Sequence, residues 1–312
     1  MNRCTICLKP SKDEHHRACL QALFGTSACP TVDTGEGTID ETIAQQSERI
    51  SISGVQKKLL VDLSLDGRWL RPNNHGRFIL KPQVSGYSHL PENEHLTMLL
   101  AREAGLEVPP VGLVSVGPKT RAYVVRRFDR TTDEPPRKRR QEDFCSLSGR
   151  DPSDKYQSSA EECATLVRRY VENPTKSLRQ LFRLFAFSHW VSNGDLHLKN
   201  VSLLEQPPGG FELSPAYDLL STRLYPQLKQ SREAMPLNGK TEQLDAADFE
   251  QFGRACGLSV TDAAEDLKRM AGKSQVATEL IQASFLPPDL KREYARWLRQ
   301  RGRRLAPRRL RP

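Results

Sequence analysis

The stretch from residue 181 to residue 218 constrains this chain more than any other. It opens on an apolar run with Leu181, Leu184, Phe185 and Val191 at helical spacing and Phe182 and Trp190 beside them. That pattern predicts a helix in the core of an α-rich lobe. The run ends in Ser192-Asn193-Gly194-Asp195-Leu196-His197-Leu198-Lys199-Asn200-Val201. Asp-x₄-Asn after a buried helix and ahead of a short apolar strand is what phosphoryl transfer from ATP requires. The Asp accepts the proton of an attacking hydroxyl or orients it, and the Asn holds Mg²⁺. Lys199 or His197 can stabilise charge on the transferring group. Two short strands flank the turn-rich Glu205-Gln206-Pro207-Pro208-Gly209-Gly210 and predict a hairpin. The hairpin returns the chain to its starting end and sets Asp218 near Asn200, a hard, oxygen-rich pair suited to Mg²⁺.

Two further parts of an ATP site are expected upstream. Residues 51–58, SISGVQKK, form a small-residue loop leading into a strand, able to approach phosphates with backbone N–H groups. Lys81 ends the strand Phe78-Ile79-Leu80 and matches the strand lysine that pairs with nucleotide phosphates, with Glu92 or Glu94 on the next helix to orient it. Taken alone, Lys81 reads as an ordinary edge-strand lysine.

Around these residues the pattern alternates strand and turn. Strands are expected over 58–63, 77–81, 111–116 and 122–125, with a turn over 72–76. Residues 92–104 change to helical period, and Gly105 stands where a C′ glycine belongs. Residues 130–160 are charged and read as an exposed loop. The expected fold is α+β and protein-kinase-like, a bilobal arrangement of a small β-rich N-lobe and a larger α-helical C-lobe. Its divisions are a Cys/His-containing element and linker over 1–40, the N-lobe over 41–130, the catalytic C-lobe over 131–290 and a basic arm over 291–312.

The net charge of +9 is concentrated in that arm, where ten Lys and Arg face the single acid Glu293. The rest of the chain is formally neutral. Such an arm can dock on nucleic acid or an acidic surface, or simply be a partly helical, solvated tail. No recognition-helix or finger pattern accompanies it. With 37% apolar and 27% charged residues and no apolar run near 18, a globular chain without a transmembrane helix is expected. The polar N-terminus lacks a secretory signal, and seven irregularly spaced cysteines do not make a disulfide framework, so a reducing cytosol is the expected compartment.

Cys4-x₂-Cys7, then His15 or His16, then Cys19 offers four soft ligands at knuckle-like spacing for a structural, tetrahedral Zn²⁺. The competing reading is buried thiols packing a small N-terminal element. Cys145, Cys163 and Cys256 carry no partner signals and are expected in the interior.

Taken together, these residues resemble the HipA family of bacterial toxin serine/threonine kinases. The similar segments are SISGVQKK (51–58), FILKP (78–82), NEHLTMLLAREAG (93–105), RRFDR (126–130), QEDFC (141–145), DLHLKN (195–200) and LSPAYDLLS (213–221), in the family order. The resemblance implies Asp195 as catalytic base and Asn200 and Asp218 as Mg²⁺ ligands. It implies Ser53, Gly54, Val55, Gln56, Lys57, Lys58, Lys81, the hinge Arg126, Arg127 and Phe128, and His197, Lys199, Asn200, Tyr217 and Asp218 around ATP. In this family a loop serine is autophosphorylated and the loop is then ejected from the ATP site; Ser51 is the first candidate here and Ser53 the second. A phosphoserine of nearly −2 charge beside nucleotide phosphates is repelled, which accounts for the silencing. The resemblance further implies an aminoacyl-tRNA synthetase as protein substrate and a HipB-like helix-turn-helix antitoxin, with DNA met only through it. Because the phosphate loop begins near residue 51, the chain is similar to the short, HipT-like members of three-component systems, whose missing subdomain is a separate HipS-like protein. Residues 193–200 also resemble the catalytic loop of aminoglycoside-type small-molecule phosphotransferases. A third reading is a non-catalytic nucleic-acid-binding protein using the basic arm and a zinc knuckle. SISGVQKK and QEDFC favour the protein kinase over the second reading, and intact Asp195, Asn200 and Asp218 count against the third.

Overall fold

The computed structural model describes residues 2–35, 37–49, 57–118, 120–133, 135–228 and 233–306, with residues 47–49 described by backbone alone. Ser51, Ser53, Gly54, Val55 and Gln56 of the expected phosphate loop, and Arg308, Arg309 and Arg311 of the basic arm, lie outside the described residues. The chain divides into two units. The first is Met1–Leu96, Pro109–Pro136 and Ala283–Leu286; the second is Thr97–Val108, Arg137–Gln282 and Pro287–Pro312.

The first unit starts with a two-residue hairpin, β1 (Asn2–Arg3) and β2 (Pro10–Ser11), followed by helix α1 (Arg17–Phe24), β3 (Thr31–Val32) and α2 (Ile39–Arg49). Then come β4 (Leu59–Leu63), β5 (Trp69–Pro72), β6 (Phe78–Lys81), the first turns of α3 (Leu90–Glu103), β7 (Val111–Gly117) and β8 (Thr120–Arg126). Six of these strands form one sheet in the order β3-β5-β4-β6-β8-β7, antiparallel except for the β3–β5 pair. Period-2 alternation puts Leu59 and Val61 of β4, Phe78 and Leu80 of β6 and Ala122 and Val124 of β8 into one core. Cys4, Ile6, Leu20, Leu23 and Phe24 join the same core, so the N-terminal element is built into the sheet unit. The stretch read as a linker supplies β3 and the first residues of α2. Helix α3 ends as expected: Gly105 takes φ +87°, a left-handed position that costs a glycine little.

The second unit carries β9 (Gln141–Asp143), α4 (Phe144–Leu147), α5 (Ala160–Tyr170), α6 (Thr175–Trp190), β10 (Ser202–Glu205) and β11 (Phe211–Leu213). It ends in α7 (Ala246–Ala255), α8 (Val260–Gly272), α9 (Ser274–Ala283) and α10 (Pro288–Leu305). The expected apolar helix is α6, buried from Leu184 to Trp190 without a break. The expected hairpin is β10–β11, and β9 adds a third strand on the far side of β10. The segment 130–160 is therefore not one exposed loop, because QEDFC forms β9 and opens α4. Nor is the basic segment a solvated tail as far as Leu305. Tyr294, Ala295, Leu298, Arg301, Gly302 and Leu305 of α10 are buried at helical spacing, and Arg301 meets Glu233 at 3.2 Å. Cys145, Cys163 and Cys256 are buried, as expected. No helix among the described residues is long and apolar enough to cross a membrane.

Candidate active site

In the second unit, α6 delivers the chain to Ser192, which takes φ +58°, and the backbone then turns through Asn193 and Gly194 to Asp195. Thr222 pins this turn: its hydroxyl accepts the Gly194 N–H at 2.9 Å and donates to the Ser192 carbonyl at 3.1 Å, while its own N–H reaches the same carbonyl at 3.2 Å. Thr222 lies four residues beyond Asp218, so these bonds tie the two segments together by a route other than the hairpin. The Asn193 side chain accepts the Asp195 N–H at 3.1 Å.

A short 3₁₀ turn over Leu198–Asn200 follows. The Asn200 side chain is buried and its amide N–H donates to the Asp195 carbonyl at 3.0 Å. That bond uses the nitrogen end of the amide and leaves Oδ1 as the end a hard cation would take. Asp218 takes φ +54°, left-handed backbone that a non-glycine residue adopts only where its surroundings impose it, at a cost of about 1–3 kcal/mol. An amide oxygen such as that of Asn200 and a carboxylate such as that of Asp218 are hard donors of the kind that suits Mg²⁺.

Asp195 is half-exposed, and its Oδ1 accepts the Tyr156 hydroxyl at 2.6 Å. Burial, reinforced by this carboxylate, pushes the Tyr156 phenol well above its usual range, so the tyrosine donates at any working pH. His197 Nε2 lies 3.9 Å from the same oxygen, and the His197 ring meets Tyr156 edge-on at 5.1 Å. Burial holds the His197 imidazole below its ordinary pKa, and its Nδ1 has no hydrogen-bond partner among the described residues. Of the two residues expected to stabilise phosphoryl charge, His197 is therefore a neutral neighbour of Asp195. Lys199 turns to Asp143 Oδ2 at 2.8 Å. Asp143 in turn caps α4, accepting the Ser146 N–H at 2.9 Å through its other oxygen. Tyr217 bonds Ser202 at 2.5 Å and the Lys199 carbonyl at 2.9 Å, which fixes the residue before Asp218 against the 3₁₀ turn.

In the first unit, Lys81 is 4% exposed on β6, an interior strand between β4 and β8, so it is not an edge lysine. Its ammonium meets Glu94 Oε1 at 2.6 Å. Glu94 is thus the partner, and Glu92, also buried, is not; burial raises the Glu92 carboxyl above its ordinary pKa. Lys57 pairs with Asp40 at 3.0 Å on the surface, and Lys58 precedes β4. Arg126 ends β8. Arg127 donates two bonds to Asp129 at 2.9 and 2.8 Å, and Arg130 a third at 2.6 Å. Burial alone would raise the Asp129 carboxyl; these two guanidiniums hold it below the usual range. Arg127 is thereby committed to shaping the 126–130 turn, with Phe128 half-buried within it. Cys4, Cys7, His16 and Cys19 come together, and His15 stays outside the group.

Sequence reasoning missed Tyr156, Thr222 and the role of Asp143. Only Asp143 left a signal, as the middle of QEDFC directly before an apolar helix start.

Residues 50–278 match the HipA-like C-terminal domain family. A provisionally named kinase of Haemophilus influenzae is 29% identical over 325 aligned positions, which cover 92% of each chain. The serine/threonine-protein kinase toxin HipA of Shewanella oneidensis is 28% identical over 77% of this chain, which spans 59% of that protein's length. The structure of HipA from Shewanella oneidensis MR-1, solved in a complex with HipB and operator DNA, superposes with a TM-score of 0.70 at 26% identity. The match covers 82% of this chain and 65% of that one. A family match over most of the chain, with a kinase-type loop held by the bonds described above, places it: the chain belongs to the HipA family.

Proposed function

We propose that this chain is a toxin-type protein serine/threonine kinase that transfers the γ-phosphate of ATP to a serine or threonine of a protein. The observation that supports it most is the catalytic loop itself. Asp195 is held at the end of α6 with its carboxylate half-exposed, and Asn200 turns its amide nitrogen to the Asp195 carbonyl. Asp195 orients the acceptor hydroxyl and takes its proton, while Tyr156 holds one of the carboxylate oxygens. Asn200 and Asp218 would hold Mg²⁺, which when bound neutralises phosphate charge. Lys81, fixed by Glu94, places a cation for the nucleotide phosphates, and the half-buried, Asp143-anchored Lys199 contributes a second. Lys57, Lys58, Phe128, His197 and Tyr217 complete the nucleotide surroundings, and Ser51 or Ser53 is the residue of inhibitory autophosphorylation.

By similarity to the Shewanella protein solved with HipB and operator DNA, a HipB-like antitoxin is the proposed partner, with a HipS-like small protein as a second. An aminoacyl-tRNA synthetase is the proposed substrate. The test is incubation with Mg-ATP and phosphosite mapping by mass spectrometry, beside Asp195→Asn and Asp218→Asn. Phosphate on Ser51 or Ser53, absent from both variants, is the expected result. A folded wild-type chain that neither binds ATP nor phosphorylates itself or an added synthetase would sink the kinase reading.

A further inference from the structure

We propose that Cys4, Cys7, His16 and Cys19 hold a structural Zn²⁺ ion that locks the N-terminal hairpin onto the β-rich unit beside Glu94. One ligand atom from each of these residues lies within 4.8 Å of all the others. His16 Nδ1 is 3.3 Å from Cys7 Sγ and 3.9 Å from Cys19 Sγ. Tetrahedral zinc with Zn–S near 2.3 Å requires ligand atoms roughly 3.5–3.8 Å apart, so the cluster is at the right scale before any ion is placed.

The backbone is built for this geometry. Pairing of β1 with β2 sets Arg3 opposite Pro10 and makes a tight turn of the residues between them. Within it, the Cys4 N–H reaches the Lys9 carbonyl at 3.0 Å and the Leu8 N–H reaches the Cys4 carbonyl at 2.9 Å. Leu8 adopts φ +63°, the left-handed residue that lets Cys4 and Cys7 face one point. His16 is the residue before α1, and the Cys19 N–H bonds its carbonyl at 3.0 Å, which puts both side chains on the first turn.

A second, independent observation concerns the other ring nitrogen of His16. Nε2 is 3.1 Å from the Pro10 carbonyl, an acceptor only, so Nε2 carries a proton and Nδ1 is the ring nitrogen turned to the thiols. A ring nitrogen donated to a backbone carbonyl is the usual support of a metal-bound histidine. The His16 N–H also points at Cys4 Sγ from 3.4 Å. Thiols that merely fill a core are buried, as Cys145, Cys163 and Cys256 are; Cys7 and Cys19 are only half-buried. Three thiolates and an imidazole select a soft ion such as Zn²⁺ and reject Mg²⁺.

The residues between the two leading cysteines carry the consequence. The Thr5 carbonyl accepts the Leu113 N–H of β7 at 3.0 Å, and the Ile6 carbonyl lies 3.0 Å from Nε2 of the buried His95. His95 is the next residue after Glu94, the partner of Lys81. Gly112 gives way to this knuckle, since a Cβ there would sit 2.8 Å from Leu23 Cδ2 and 3.0 Å from Ile6 Cγ1. A two-residue hairpin has no stability of its own; the ion supplies the rigidity with which Thr5 and Ile6 hold β7 and α3.

The test uses the full chain. Elemental analysis of the protein purified without added metal, and after reconstitution with Zn²⁺, is expected to give about one zinc per chain. His15→Ala keeps it, and Cys7→Ser/Cys19→Ser lowers it below about a tenth. Because the double variant can misfold, Co²⁺ substitution of the wild type provides a second reading. The visible bands of tetrahedral, thiolate-rich cobalt are expected, and His16→Cys retains them at lower energy. Chelation is expected to speed hydrogen exchange at the Leu113 amide about tenfold or more while the α6 amides keep their rates. No zinc after reconstitution, full zinc in the double variant, octahedral cobalt, or a mapped disulfide among Cys4, Cys7 and Cys19 overturns the assignment. None of these readouts depends on phosphotransfer, so failure here and failure of the kinase reading are separable.

Discussion

Lys81→Met removes the ammonium that faces a fully buried carboxylate, that of Glu94. The side chains of Lys81 and Glu94 are 5% and 0% exposed and their charges meet at 2.6 Å, so solvent screens the pair little. Removing one member of a buried pair costs about 3–5 kcal/mol, because the remaining charge keeps its desolvation penalty without its partner. At roughly 2–4 °C per kcal/mol for a domain of this order, the midpoint of thermal unfolding falls by roughly 6–20 °C. Replacing both members by neutral groups of similar size is close to neutral for stability. Lys81→Met/Glu94→Gln is therefore expected to recover most of the loss. Phosphotransfer behaves differently, since a methionine cannot hold phosphate whatever stands opposite it. The assay is thermal unfolding of the two single variants and the double, beside autophosphorylation with Mg-ATP on each. Stability restored with activity still absent is the expected pattern. Stability and activity restored together would refute the phosphate role of Lys81, and a single variant that melts with the wild type would refute the energetics.

Tyr156→Phe removes a hydrogen bond to a charged carboxylate, worth about 1.5–3 kcal/mol, and is expected to lower kcat roughly tenfold or more with KM for ATP little changed; wild-type kcat would show that the bond is broken in the working enzyme. Arg301→Ala strands Glu233 beside buried His189 and is expected to cost about 3–5 kcal/mol in urea unfolding, against well under 1 kcal/mol for Arg299→Ala on the exposed face of α10; equal costs would refute the buried-pair reading. Burial holds His189 below its ordinary pKa. For a base with a lowered folded pKa the unfolded chain binds the extra proton, so the stability contributed is present above about pH 6.5 and is lost as pH falls below it. Urea unfolding at pH 7.5 and 5.5 is expected to show this loss, at most about 1.4 kcal/mol per pH unit from this group, and His189→Gln to show less; the same loss in both would place the proton elsewhere.

What could be read from sequence was what repeats with a period or sits at a fixed spacing. The apolar run gave away α6, alternation gave away β4, β6, β7 and β8, and Pro-Gly punctuation gave away the β10–β11 hairpin. Asp195, Asn200 and Asp218 could be picked out as candidates for the same reason, as their spacing is local and the hairpin between them is short. The strand β9 was not, because three residues in a charged segment have no period of their own and become a strand only by pairing Asp143 with Ser202 across the fold. Tyr156 and Thr222 reach the catalytic loop from 39 and 28 residues away, and nothing in their neighbourhoods marks them. The basic segment misled because its charges dominate the composition while its buried stripe, Tyr294, Leu298, Arg301 and Leu305, contains an arginine that counts as surface until Glu233 is known to face it.

Helix α3 shows where that limit lies. Glu92 and Glu94 were equal candidates for Lys81, and burial does not separate them, since both are under 10% exposed. They stand about 200° apart around a helix of 3.6 residues per turn, so at most one can face β6. Which one does depends on the rotation of α3 about its axis. The helical period over 92–104 does not settle that rotation, because from Leu90 to Ala101 every residue is buried and no face of these turns is exposed. Among the polar bonds that hold it are Glu94 to Lys81 and, on the next residue, His95 to the carbonyl of Ile6. The second of these comes from the turn between Cys4 and Cys7, almost ninety positions earlier in the chain. Residues read as a separate N-terminal element thus help hold the helix turn from which Glu94 meets Lys81, and for that reason loss of the proposed zinc from the knuckle is expected to change the environment of Lys81.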